Sequence, residues 1–238
     1  MSGHSKWSNI KRRKGAQDAV RGKIFTKLIK EIMVAAKMGG ADLEANSRLR
    51  LAVDKAKSNS MPRANIDRAI AKAAGDLKGD DYHELVYEGY GPGGVAILVE
   101  CLTDNRNRTS SDVRHAFTKH GGNLGASGSV SYLFQQKGFF TIEQNLIDED
   151  SLLLVALDGG AEDVSDENDM WIITCEREDY DSCKKALQSL EVATSTAELT
   201  RLPDNTVELS EADEGKLLRM MEHLEDLDDV QETYTNAG

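Results

Sequence analysis

A chain of 238 residues with 39% hydrophobic and 29% charged side chains has the make-up of a globular protein of one large or several small domains, which excludes wholesale disorder. Its formal net charge is -12, and its three cysteines, Cys101, Cys175 and Cys183, form no C-x-x-C pair. That argues against a disulfide framework or a zinc site and for a reducing compartment. No apolar run approaches the roughly 20 residues that a bilayer-spanning helix needs, and no apolar segment near the start marks a secretory signal, so a cytoplasmic location without membrane contact is expected.

The mean charge hides a split. Residues 1–80 carry 18 Lys+Arg and 8 Asp+Glu, a net +10, and the remainder carries 11 and 33, a net -22. Residues 1–30 hold nine basic residues and a single acid, Asp18. Such asymmetry predicts separate modules with separate electrostatic roles. The first is a cationic arm, Lys6, Lys11, Arg12, Arg13 and Lys14, with Trp7 embedded in it. An arm of this kind follows a phosphate backbone, and Trp7 either stacks on a base or anchors the arm to the domain behind it. A cleavable transit peptide is also basic, but this segment merges without a break into patterned helices.

From Ala16 to about Met38 the pattern has helical period. Lys23, Lys27, Lys30 and Lys37 fall within an arc of roughly 80°, and Ile24, Phe25, Leu28, Ile29, Ile32, Ala35 and Ala36 fill the other side. Arg21 extends the basic surface, and Gly39-Gly40 is the expected C-cap. A second helix is predicted from about Ala45 to Lys57 and a third after Pro62, with Ile66, Ala69, Ile70 and Ala73 at i, i+3, i+4, i+7. Three amphipathic helices make a small bundle.

Beyond the bundle, Gly89, Gly91 and Gly94 spell G-x-G-x-x-G, but Val95–Leu102 reads as a strand, so the glycines form a turn between strands and no dinucleotide site. Thr109 and Asp112 have capping-box spacing, which predicts a helix start. Arg106 and Arg108 just before it either bind phosphate at the helix N-terminus or pair with nearby acids. Strands are expected at Val130–Phe134, Gly138–Glu143, Met170–Cys175 and Ala197–Leu202, with helices at Asp148–Asp158 and Tyr180–Leu190. A further strand is allowed at Asn205–Leu209. Ser210 with Asp213 caps a last helix, and Val230–Tyr234 reads as a closing strand.

That last helix places Glu225, Asp226, Asp228 and Asp229 at its C-terminal end, where the dipole disfavours negative charge. A basic protein partner, repulsion of nucleic acid, docking against the cationic module, or plain solubility would each account for it. No histidine or cysteine has metal-ligand or catalytic spacing and no P-loop is present, so neither an enzyme, a metal nor a cofactor is expected.

GHSKW (3–7), AQDAVRGKIFTKLIKEI (16–32), SNSMPRANIDRAI (58–70), YEGYGPGG (87–94), LTDNRNRT (102–109), GGNLGASGSV (121–130) and LEDLDDVQETY (224–234) together resemble the YebC family over nearly the whole chain. The resemblance implies an α+β protein: an N-terminal three-helix bundle (1–80) followed by two small α+β domains, one inserted in the other. The middle domain is then 81–134 with 205–238, and the inserted acidic domain is 135–204. It also implies a DNA-binding transcriptional regulator. The family's mitochondrial translational activator, and bacterial relatives linked to relief of stalling on proline-rich stretches, imply as alternative a ribosome-associated factor on ribosomal RNA. A protein-interaction adaptor using the acidic half is the third reading. The expected nucleic-acid contacts are Lys6, Trp7, Lys11, Arg12, Arg13, Lys14, Arg21, Lys23, Lys27, Lys30, Arg106 and Arg108, on DNA or ribosomal RNA.

Overall fold

A computed structural model describes residues 18–75 and 82–238, with side chains from residue 22 onward in the first helix. Among the described residues it holds seven α-helices and two four-stranded antiparallel sheets, an α+β architecture. The chain divides into two compact units. Leu133–Asn205 forms one, and the described residues before it together with Thr206–Gly238 form the other.

In the larger unit, α1 (Asp18–Gly39), α2 (Ser47–Ser58) and α3 (Arg63–Gly75) close over a core of Leu28, Ile32, Ala35, Leu49, Ala52, Val53, Ala56, Ile66 and Ala69. These are the apolar stripes legible in the sequence. Gly40 takes φ +86° and its N–H reaches Ala36 O at 2.9 Å, so the expected Gly C-cap forms. Asn46 ties the first two helices together. Its Oδ1 accepts from Leu49 N at 3.0 Å as the N-cap of α2, and its Nδ2 donates to Ala35 O and Gly40 O, each at 2.8 Å.

The same unit carries β1 (His83–Tyr90), β2 (Ala96–Thr103), α4 (Arg106–Lys119), β3 (Asn123–Leu124), α7 (Glu211–Asp226) and β8 (Val230–Thr235). Strand order is β3-β1-β2-β8, and α4 and α7 bury Val113, Ala116, Phe117, Leu217, Met220, Met221 and Leu224 against Ile97, Val99 and Cys101. The β1–β2 hairpin turns through Pro92–Gly94, with Gly91 N donating to Val95 O at 2.8 Å. The three glycines are therefore a turn between strands, as expected.

Between β3 and α7 the chain builds the second unit: β4 (Phe134–Glu143), α5 (Glu149–Asp158), β5 (Ala161–Glu167), β6 (Met170–Glu176), α6 (Tyr180–Gln188) and β7 (Thr194–Pro203), with strand order β5-β6-β4-β7. This is a split β-α-β arrangement, β-α-β-β-α-β in chain order. Phe140 stacks on Tyr180 at 5.2 Å between ring centroids. Gly138 has to be glycine, because a Cβ there would lie 2.4 Å from Cys175 Sγ.

Four sequence expectations change. The helix after β2 begins at Arg106, not at Thr109: Asn105 is its N-cap, accepting from Arg108 N at 3.1 Å, and Thr109 lies inside the first turn with its hydroxyl 3.0 Å from Asn105 O. Val130–Phe134 is not a strand, since Glu88 captures the N–H groups of Gly128, Val130 and Ser131 and takes them out of any ladder. The strand starts at Phe134 and runs through Gly138. Ala161–Glu167, read as no element, is an edge strand pairing only with β6. Asn205–Leu209 supplies a single parallel bridge, Val207 with Ala237.

Candidate nucleic-acid interface

The arm residues Lys6, Trp7, Lys11, Arg12, Arg13 and Lys14 lie outside the described residues, and Arg21 is described only as part of the α1 backbone. The rest of the expected basic face is in place, and it is occupied. Lys23 Nζ reaches Asp226 Oδ1 at 2.8 Å, Lys27 Nζ the Glu225 carbonyl at 2.6 Å, and Lys30 Nζ the Asp228 carbonyl at 2.9 Å and Asp229 Oδ1 at 3.3 Å. All three lysines thus meet the C-terminal end of α7 and the turn behind it. Lys55 of α2 adds an ion pair with Glu232 of β8, and Arg48 pairs with Glu31 and with Glu84 of β1.

This arrangement answers the question of the late acids. The last carbonyls of α7 and the carboxylates of Asp226 and Asp229 form a concentration of negative charge that the helix dipole disfavours. The cationic stripe of α1 neutralises it within the chain. Docking against the cationic module is therefore a role these acids have. Sequence reasoning held this docking as one of four open accounts and did not choose it, because nothing local marks two segments 198 to 203 residues apart as complementary.

Asp229 is the centre of the contact. Its side chain is 8% exposed, and its Oδ2 accepts from Arg108 Nε at 3.1 Å, Arg108 Nη2 at 2.8 Å and Thr109 Oγ1 at 2.9 Å. Burial pushes its carboxyl up, but the bonds from Arg108 and Thr109 and the charge of Lys30 outweigh that and hold it below the usual carboxylate range. Arg108 also pairs with Asp104 at 2.8 Å, so of the two readings open for it, pairing with acids is the one the geometry carries. Arg106 Nη2 lies 3.0 Å from His83 Nδ1 and its residue is exposed. Close by, burial and the Asp229 charge push the Cys101 thiol up to about 12, so it stays protonated.

A second polar cluster joins α4 to α7. His120 Nε2 and His223 Nδ1 are 3.1 Å apart, and the His115 ring stands edge-on to His223 at 6.0 Å. Burial lowers the pKa of both His120 and His223, and neighbouring cations, Lys119 for each and Arg219 for His120, lower it further. A folded-state pKa below the unfolded value near 6.5 means that the stability contribution is complete above about 6.5 and is lost as pH falls through the lower folded values. Thermal melts from pH 8 to 5.5 are expected to show this loss, and His223→Gln is expected to flatten it. Equal slopes for the two proteins would refute the assignment. Among the described residues no group of three or more His, Cys, Asp or Glu is arranged to hold a metal ion, and no helix is long and apolar enough to cross a membrane.

Comparison with known proteins covers both units. Residues 5–76 match the family model described as the TACO1/YebC protein N-terminal domain, and residues 82–237 match the TACO1/YebC second and third domain. A probable transcriptional regulatory protein of Desulforapulum autotrophicum is 54% identical over 237 residues, covering 100% of this chain and 96% of its own. The probable transcriptional regulatory protein YrbC of Bacillus subtilis is 55% identical over 238 residues, covering 99% of each. A conserved hypothetical protein of Aquifex aeolicus, solved by crystallography, superposes with a TM-score of 0.82 at 48% identity over 93% of this chain and 91% of its own. From the first helix to the last strand, this chain belongs to the TACO1/YebC family.

Proposed function

We propose that the protein is a nucleic-acid-binding regulator of gene expression, acting on transcription through DNA. The observation that carries this is the charge of residues 1–30, nine cations against one acid in a chain of net charge -12. The names of the relatives, probable transcriptional regulatory proteins, point the same way. Lys6, Lys11, Arg12, Arg13 and Lys14 supply the phosphate contacts, with Trp7 on a base or against the bundle, and Arg21 and Arg106 extend the track. Lys23, Lys27 and Lys30 take a second role: phosphates compete for them with the carboxylates and carbonyls of α7, so their engagement with nucleic acid is coupled to release of that helix end.

Reversing the charge of these three lysines tests docking and binding at once. The arm separates them. Replacing Lys11, Arg12, Arg13 and Lys14 together with Gln is expected to leave the melting temperature unchanged. It should reduce the slope of log K against log salt by about 3 to 4 and weaken binding to duplex DNA at low salt at least tenfold. An unchanged salt slope would sink the arm as the contact. Crosslinking in cells with sequencing of the attached nucleic acid then identifies the polymer: promoter DNA supports the reading, and ribosomal RNA overturns it.

A further inference from the structure

The larger unit contains a cleft that the nucleic-acid reading does not use. It has a volume of about 460 Å³ and is lined by Pro92 and Gly93 of the β1–β2 turn, Lys119, His120 and Gly121 at the end of α4, and Asp213, Lys216 and Arg219 of α7. Behind the lining, glycines let the elements that carry it pack closely. A Cβ on Gly93, whose φ is +74°, would lie 2.2 Å from Leu209 Cδ2, and one on Gly122 would lie 2.7 Å from Tyr90 O and 2.8 Å from Met220 Cε. The glycine-rich turn, which binds no dinucleotide, is here one side of a concave surface.

The charges that line it are unbalanced. Asp213 is paired with Lys216 at 2.8 Å and accepts from the Ser210 hydroxyl at 3.0 Å. Lys119 and Arg219, both exposed, form no ion pair among the described residues. In a chain whose residues after 80 carry a net -22, cations are usually surrounded by carboxylates, and two uncompensated ones facing a single cleft ask for an anion. The dipole at the end of α4 opposes an anion, so the side chains have to supply the attraction. The volume falls in the range of small-ligand sites and suits one nucleotide. We propose that this cleft binds a phosphate monoester of mononucleotide size, with Lys119 and Arg219 on the phosphate, Lys216 sharing itself between ligand and Asp213, and His120 at the rim.

A dianion placed there also favours the protonated form of His120. The charged and titratable groups that act on that ring are His115 and Lys119 on α4 and Arg219 and His223 on α7, Asp213 and Lys216 line the same cleft, Asp112 and Asp226 act on the neighbouring His223, and the Pro92–Gly94 turn has none. Binding therefore draws His120 toward taking up a proton. The site is independent of the arm, so it stands or falls separately from the proposed function.

Calorimetric titration of the full chain with AMP, ribose 5-phosphate, inorganic phosphate and adenosine tests it. AMP and ribose 5-phosphate are expected to bind, inorganic phosphate more weakly, and adenosine not at all. Lys119→Glu and Arg219→Glu are each expected to weaken AMP at least about tenfold with an unchanged melting temperature, both side chains being exposed. His120→Gln is expected to keep binding but lose the proton uptake seen when two buffers of different ionisation heat are compared. No heat from any phosphate compound, or Arg219→Glu binding as the parent does, overturns the site. Adenosine binding as well as AMP overturns phosphate as the recognised group.

Discussion

An Asp229→Ala chain is expected to lose about 3 kcal/mol of folding stability, the lower end of what removing one partner of a buried ion pair costs. One carboxylate here receives two bonds from Arg108, one from Thr109 and one from Lys30, and it is the point at which α1, α4 and the turn after α7 meet. Arg108 keeps Asp104, and the Thr109 hydroxyl turns its one proton to the Asn105 carbonyl, which is why the upper end of the range is not expected. For a chain of this size the melting temperature falls by roughly 6 to 12 °C. Asp229→Asn keeps the shape and loses the charge, and it is expected to recover less than half of the loss. The effect also has a pH signature. The folded carboxyl sits below its unfolded value near 3.9, so its contribution is present above about pH 4 and disappears as pH falls through the folded value. That window lies below the one set by the two histidines. Urea denaturation at pH 7 and at pH 3 checks both statements, and a variant within 1 kcal/mol of the parent at pH 7 would remove Asp229 from its central place.

Glu88→Gln is expected to cost about 2 to 4 kcal/mol, because a charge-assisted acceptor is replaced by a donor facing donors. Glu88 is 5% exposed. Its Oε1 accepts from Gly128 N at 2.7 Å, and its Oε2 from Val130 N at 2.8 Å and Ser131 N at 2.7 Å. Burial pushes this carboxyl up, but the three N–H groups prevail and hold it below the ordinary value. The amide of Gln satisfies one or two of these donors at most. Hydrogen exchange should therefore rise first at Gly128, Val130 and Ser131, before global unfolding. Uniform acceleration over the whole unit, with no local excess in that loop, would mean that the carboxylate stabilises the fold generally and does not specifically pin the loop.

The helices were the most legible part of the fold, because each buries one stripe against neighbours and the stripe repeats at 3.6 residues. Strand β5 was not, and the reason is chemical. Ala161-Glu-Asp-Val-Ser-Asp-Glu167 has four acids and one β-branched apolar residue, and it becomes a strand because β6 offers it a ladder. The same limit applies to the lysine face. That Lys23, Lys27 and Lys30 share one side of a helix follows from spacing. That the side is covered by Glu225–Asp229 does not, since the bonds span 198 to 203 residues. The start of α4 was misplaced by a competition among caps: Asn105 and Thr109 both have suitable side chains, and Thr109 is drawn off by a carboxylate that arrives much later in the chain.

The strand order β3-β1-β2-β8 has a consequence for biosynthesis. Strand β2 is complete long before its second neighbour emerges, since Ile97 pairs with Thr235. In between, the ribosome makes the whole of Leu133–Asn205, whose two ends meet where Asp204 N donates to Leu133 O at 2.9 Å. That unit can fold as a closed excursion while β2 waits with one side of its backbone unsatisfied. An open apolar edge of this kind is a template for intermolecular pairing. Translation arrested before β8 therefore leaves a nascent chain at risk of aggregation, although most of its residues are already in their final elements.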